Sequence, residues 1–189
     1  MCNSSGWALF GKTVFTNMEG GAESSGSEAA APLSFSMRMT VYGIQKAFPS
    51  VRNVTCSDVD AWRRNQSRKT VFVDVRPEEE FRVSHIPGAV RVEPNSQPDL
   101  RELGITTEDT VVCYCSVGYR SSDMAQRLYR VARTPDHGSL DVYNMEGGIF
   151  QWAIEERDIV DNDKNKAAEV HPYSSVWGML LPGKLRASL

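Results

Sequence analysis

Two apolar runs stand out along the chain, Val71-Phe72-Val73-Asp74-Val75 and Thr110-Val111-Val112-Cys113-Tyr114. Both are short and rich in β-branched and aromatic residues, the pattern of strands buried on two faces. Shorter runs at Val54-Thr55, Val90 to Val92 and Asp141-Val142-Tyr143-Asn144 predict three more strands, the first of them at an edge. Helical patterns separate them. Met39 to Pro49 carries Val41, Tyr42, Ile44 and Phe48; Ser57 can cap a helix through Trp62, with Asp58 and Asp60 in the first turn, where the helix dipole favours acids. Pro77 suits the first position of a short helix through Glu80 and Phe81, and Pro98 to Leu103 predicts a helical turn or two stopped by Gly104. Ser121 or Ser122 is a natural N-cap for a helix with Met124, Ala125, Leu128 and Val131 on one face. Gly147-Gly148 leads into a last helix with Ile149, Trp152, Ala153 and Ile154 inward. Short apolar strands alternating with helices predict an α/β domain, a parallel sheet with helices on both faces. Such sheets place functional loops at the carboxyl ends of their strands.

A hydrophobic fraction of 41% over 189 residues is enough for one domain with a real core, flanked by extensions. Residues 1–36, rich in Ser, Gly, Ala and Glu, read as a disordered tail; 37–53 as an extension packing on the domain; 54–157 as the domain; and 158–189 as a second extension with an apolar helical segment. The net charge of −3 argues against a broad nucleic-acid or anionic-membrane surface, and no apolar stretch approaches the roughly 20 residues that cross a bilayer. Cys2, Cys56, Cys113 and Cys115 lack the spacing of a disulfide framework or, with three histidines elsewhere, of a zinc site. The reading is therefore a cytoplasmic protein without metal. The alternative is an organelle such as the mitochondrion, reached through a leader-like first 18 residues whose one charged side chain is Lys12.

The chemistry concentrates after the second strand, in Cys115-Ser116-Val117-Gly118-Tyr119-Arg120-Ser121. A cysteine is placed where a strand ends and a tight loop runs into a helix N-terminus. Free backbone N–H groups and the helix dipole make such a turn an anion site. Gly118 supplies a position without Cβ for a loop curling around one atom, and Arg120 adds a permanent positive charge expected to attract an anionic donor. A thiol attacks only once ionised, and helix N-termini and cations favour the thiolate. Val117 and Tyr119 are expected at the mouth of this site, and Cys113, two residues back on the strand, in the core. Asp74 and Arg76 are supporting candidates, with an Arg76–Glu80 ion pair expected to brace the strand–helix corner, and His85 is expected to fix a turn rather than to catalyse. The apolar segment from His171-Pro172-Tyr173 through Val176, Trp177, Met179, Leu180 and Leu181 is expected to dock on its own domain, or else to form a dimer or partner surface.

Three ordered motifs, Asp74-Val75-Arg76-Pro77-x-x-Glu80-Phe81, His85-Ile86-Pro87-Gly88-Ala89 and the cysteine loop, followed by Glu146-Gly147-Gly148 and Trp152, make the chain resemble the rhodanese-like (sulfurtransferase) domain across Val54 to Glu156. The resemblance implies a single domain with a five-stranded parallel sheet, and a persulfide on Cys115 cradled by the backbone from Ser116 to Arg120. It implies no cofactor beyond that covalent sulfur. The six positions from Cys115 to Arg120 match the loop of sulfur-transferring members; related phosphatases use a loop one residue longer, usually with histidine before the cysteine, where Tyr114 stands here. The implied activity is transfer of a sulfane sulfur from a small anionic donor such as thiosulfate to cyanide or a thiol, with no nucleic-acid or membrane partner. The alternative is a persulfide carrier or docking module that takes sulfur from, or passes it to, another protein with little turnover of its own.

Overall fold

The computed structural model describes residues 31–65, 68–133 and 140–189. The tail reading for residues 1–30 and the leader-like first 18 residues lie outside the described residues. Five parallel strands, β1 (Asn53–Val54), β2 (Thr70–Asp74), β3 (Val90–Arg91), β4 (Thr110–Tyr114) and β5 (Asp141–Met145), form one sheet in the order β1-β5-β4-β2-β3. The most apolar run therefore lies in the middle, flanked by β5 and β2. Thr110 to Tyr114 pair residue for residue with Thr70 to Asp74.

Strand alternation sorts the core into two halves. Val71, Val73, Val111, Cys113 and Val142 face the long helix α4 (Tyr119–Ala132), whose Met124, Ala125, Leu128 and Ala132 are buried against them. Phe72, Val112 and Tyr114 face the opposite way, toward α1 (Phe35–Ala47), α2 (Cys56–Asn65) and α5 (Gly148–Ile154). Burying a Val, Leu or Phe side chain contributes about 1.5–3 kcal/mol, so both halves matter to stability. The expected helices on both faces are present, with the short α3 (Glu78–Val83) between β2 and β3. Among the described residues no helix is long and apolar enough to cross a membrane.

Several boundaries differ from expectation for local reasons. Helix α1 begins at Phe35, inside the stretch read as tail, because the Ser34 hydroxyl accepts from Met37 N at 3.2 Å and Met37 is fully buried. Thr55, not Ser57, caps α2: its hydroxyl accepts from Asp58 N at 3.2 Å and donates to the Asp58 carboxylate at 2.6 Å. Residues 99–104 make a single helical turn, as expected, with Leu103 N donating to Asp99 O at 3.1 Å and Gly104 ending it in the left-handed region at φ +63°. The Asp99 carboxylate caps its start, accepting from Arg101 N at 2.8 Å. Helix α4 starts at Tyr119, so Ser121 and Ser122 lie inside its first turn and neither is the cap.

The two extensions fold onto the domain. Met37, Val41 and Ile44 of α1 join the core, as do Val170 and Leu181 from the C-terminal segment, which contains α6 (Ser175–Gly178) and ends near a 3-10 turn, Gly183–Leu185. At the opposite end of the sheet, Asp141 opens β5 between Arg52 and Arg68, at 2.7 and 2.6 Å. The hydrogen bond from Arg52, joined by that from Arg68, outweighs the opposing effect of burial and holds the Asp141 carboxyl below its ordinary value. A carboxylate depressed in the folded state stabilises above its unfolded pKa and loses that contribution as pH falls through the folded value. The melting temperature is therefore expected to drop as pH falls below about 4, and Asp141→Asn to flatten part of that slope in a pH series of thermal melts.

Candidate active site

Cys115 follows the last residue of the central strand, at the carboxyl edge of the sheet. Its side chain turns into the loop: Gly118 N donates to Cys115 Sγ at 3.2 Å. Gly118 is the N-cap of α4 with φ +119°, a backbone that residues with a Cβ rarely adopt, and this kink aims its N–H back at the sulfur. The Gly118 carbonyl accepts from Ser122 N at 3.0 Å and from the Ser122 hydroxyl at 2.8 Å, which locks the kink onto the helix. The 14-residue α4 thus points its N-terminus at the loop, where partial positive charge favours an anion.

The far side of the loop is held by α5. Ile149 N donates to Cys115 O at 2.9 Å and Phe150 N to Ser116 O at 3.2 Å, so the loop's carbonyls are tied to the first turn of that helix, away from the sulfur. This needs close backbone approach, which Gly148 allows: a Cβ there would stand 2.2 Å from Cys115 O. Ser121 anchors the other flank through its hydroxyl, which donates to Asn144 Oδ1 at 2.7 Å, while Asn144 Nδ2 donates to Asn53 Oδ1 at 2.9 Å. Ser121→Ala leaves the buried Asn144 oxygen without its donor and is expected to lower stability by about 1–2 kcal/mol, read as a lower urea midpoint at unchanged m-value.

Arg120 is placed against the cysteine, but its charge is not free. Its guanidinium donates to both Glu80 oxygens at 2.7 and 2.9 Å and to the Ser116 hydroxyl at 2.9 Å, and Ser116 in turn donates to Glu80 at 3.0 Å. The Tyr173 ring covers it, 4.8 Å from the guanidinium carbon to the ring centroid. Burial works to lower the Arg120 pKa, but the Glu80 hydrogen bonds and the charges of Cys115 and Glu80 outweigh it and hold the group above its ordinary value. The guanidinium is thus shared between the buried Glu80 carboxylate and Cys115, a pairing that residue order does not show.

The expected Arg76–Glu80 pair is corrected. Arg76 instead binds Asp74, with Nε at 2.9 Å and Nη2 at 2.7 Å from its two oxygens, and Nη2 also donates to Ser84 O at 2.6 Å. Both side chains are fully buried. Burial opposes the charge on Arg76, but the Asp74 carboxylate holds its pKa above the ordinary value. The pair braces the corner between β2 and the His85 turn, away from the sulfur. His85 stacks on Phe81 at 3.8 Å, and its backbone exchanges two hydrogen bonds with Val160, a turn-fixing role. Cys113 is buried in the core, and burial pushes its thiol well up, as it does that of Cys56.

Above Cys115 opens a cavity of about 130 Å³ lined by Cys115, Ser116, Val117, Tyr119, Arg120, Tyr173 and Trp177. Val117 lines it from the buried side and Tyr119 from the exposed side, and Phe48, just past α1, meets Tyr119 edge-on at 5.1 Å. Tyr173 and Trp177 were not expected there. An aromatic pair in a tail segment has no sequence spacing that points to a loop more than 50 residues away.

An open parallel sheet, with a cysteine in the loop that joins its central strand to the N-terminus of a long helix, defines the α/β class of this protein. The chain belongs to the rhodanese-like domain family, whose model matches residues 57–155, just over half of the chain. It is 36% identical over 85 residues to the uncharacterised protein YqhL of Bacillus subtilis, covering 45% of this chain and 62% of that one. It is 28% identical over 96 residues to the thiosulfate sulfurtransferase GlpE of Coxiella burnetii, covering 51% of this chain and 83% of that protein. A crystal structure of a thiosulfate sulfurtransferase from Pseudomonas aeruginosa superposes with a TM-score of 0.52 at 16% identity, over 76% of this chain and 26% of that one, a likeness of fold alone. The chain spans less than two thirds of the length of the curated relatives it matches at 34% and 36% identity.

Proposed function

We infer that the chain is a sulfurtransferase that carries a sulfane sulfur as a persulfide on Cys115. The observation that supports this best is the sulfur itself: Cys115 directly follows the central strand, its Sγ accepts from Gly118 N at 3.2 Å and it lines a cavity. In the first half-reaction the Cys115 thiolate attacks the outer sulfur of a donor. The Cys115 S–S bond forms, the donor's S–S bond breaks, and its electron pair leaves with the inner fragment, sulfite when the donor is thiosulfate. In the second, a thiol or cyanide attacks the outer sulfur of the persulfide, and the Cys115 thiolate leaves. No general base is needed, because both the nucleophile and the leaving group at Cys115 are thiolates. The Gly118 N–H and the α4 N-terminus stabilise the Cys115 thiolate, the nucleophile of the first half-reaction and the leaving group of the second. The sulfur travels covalently, so the reaction requires no resident cofactor.

Intact-protein mass spectrometry tests the reading. After exposure to a sulfane donor the protein is expected to gain one sulfur, mapped to the Cys115 peptide, and to lose it on adding cyanide with release of thiocyanate. Unchanged mass with every donor would sink it. A second reading, a carrier charged by another protein, draws support from Val176 and Met179, which stand exposed on the segment that bears Trp177. Saturable multiple turnover with a small donor favours the enzyme; a single persulfidation by a protein donor without turnover favours the carrier.

A further inference from the structure

The geometry points to an organic sulfane donor for this site, a persulfide or thiosulfonate carrying an apolar alkyl or aryl group, in preference to an inorganic dianion, with Tyr173 and Trp177 as the specificity-determining residues. This rests on the sulfur-transfer reading above and concerns what the cavity accepts.

Three observations carry it. First, Arg120 is the one charged residue among the described residues lining the cavity, and its guanidinium is already engaged, with both terminal nitrogens on the Glu80 carboxylate and its remaining interaction with Cys115 itself. A doubly charged donor approaching an anionic Cys115 meets no unmatched cation there, and like charges in a partly desolvated cleft repel strongly. Second, three aromatic rings, Tyr119, Tyr173 and Trp177, together with Val117, form the walls, and an apolar substituent gains from rings where a sulfonate oxygen gains nothing. Third, two of those rings come from residues outside the 57–155 match, on a segment docked over the mouth by buried Val170 and Leu181. Tyr173 is held there in the left-handed region, φ +64°, a conformation that bulky residues rarely adopt and that persists where the surroundings impose it. Its amide donates to His171 Nδ1 at 3.1 Å, which keeps the strained turn closed and the ring over Arg120.

The transfer balances for either donor class. With an aryl thiosulfonate, the Cys115 thiolate takes the terminal sulfur and a sulfinate leaves; with a neutral hydropersulfide, the outer sulfur keeps its proton on Cys115 and a thiolate leaves. Charge and electrons are conserved, and no oxidant is consumed.

The test compares kcat/KM for benzenethiosulfonate and thiosulfate in the full chain, with cyanide as acceptor and thiocyanate as the common product. Wild type is expected to favour the aryl donor by about tenfold or more, and removal of either ring to lower that ratio by about 2- to 12-fold. The ratio, rather than either rate, is the readout, because intrinsic leaving-group reactivity is the same in every variant. Trp177→Ala removes one ring, and Trp177→Phe should restore most of the ratio. Tyr173→Gly removes the other while suiting the left-handed backbone, so the result does not hang on a single variant's folding. A wild-type preference for thiosulfate, or a ratio unmoved in both ring-deleted variants, overturns the inference and leaves sulfur transfer standing. No thiocyanate from either donor, with no sulfur added to Cys115, overturns both.

Discussion

Alanine at position 148 is expected to unseat the cysteine loop, lowering stability by roughly 2–4 kcal/mol and sulfur transfer by about 100-fold or more. The added Cβ would stand 2.2 Å from Cys115 O, 2.7 Å from Ser116 O and 2.8 Å from Ser116 C. These are backbone atoms on a loop tied from both sides, so no side-chain rotation relieves the overlap. The same two carbonyls accept from Ile149 and Phe150, and pushing them off α5 breaks the bonds that turn them away from the sulfur. Gly148 also has φ +54°, where a Cβ adds strain of its own. Thermal melts and single-turnover persulfide formation together check the result. Gly183→Ala is the matched control, since nothing lies within 4 Å of a Cβ built there, and it should stay within about 0.5 kcal/mol of wild type. If Gly148→Ala melted and transferred sulfur like wild type, the α5 clamp would not be what shapes the loop.

Serine at position 115 is expected to abolish persulfide formation and thiocyanate production while leaving stability within about 1 kcal/mol of wild type. The hydroxyl is close in size to the thiol and can still accept from Gly118 N, so the loop keeps its shape. What disappears is a nucleophile able to ionise and to leave again as a thiolate. The remaining buried cysteines offer no bypass. Cys56 and Cys113 are absent from the cavity lining, and burial pushes both thiols well up, so Cys113→Ala should retain transfer. Residual turnover in the serine variant, measured as thiocyanate against time, would refute the covalent scheme.

Much of this architecture is legible from residue order. The central strand Thr110–Tyr114 shows its true limits in the sequence, because a fully buried strand leaves an uninterrupted β-branched and aromatic run. The strand–loop–helix placement of Cys115 follows from that limit, as does the special backbone at Gly118. Helix starts are less legible. Ser57, Ser121 and Ser122 are as good caps as Thr55 or Gly118 by residue type, and what separates them is a one- or two-residue shift in where the chain leaves the sheet.

The partners of the charged residues divide most clearly between the two levels. Local periodicity and turn chemistry act between neighbours, so residue order alone specifies the strand–helix alternation, the central position of the cysteine loop and the class of chemistry its type and neighbours permit. Which acid meets which arginine is a matter of distance across the fold. Asp74 and Glu80 lie close in sequence to one arginine, yet Glu80 crosses to Arg120, 40 residues on, because α3 packs beside the loop while Asp74 takes Arg76 within the same turn. Only the folded chain reveals that Arg120 pairs with Glu80 beside Cys115, and that Tyr173 and Trp177, from a segment docked by its own buried Val170 and Leu181, line the cavity at that thiol. The physical reason is the same in both cases. Buried charges and exposed rings are positioned by long-range packing, which leaves no period along the chain.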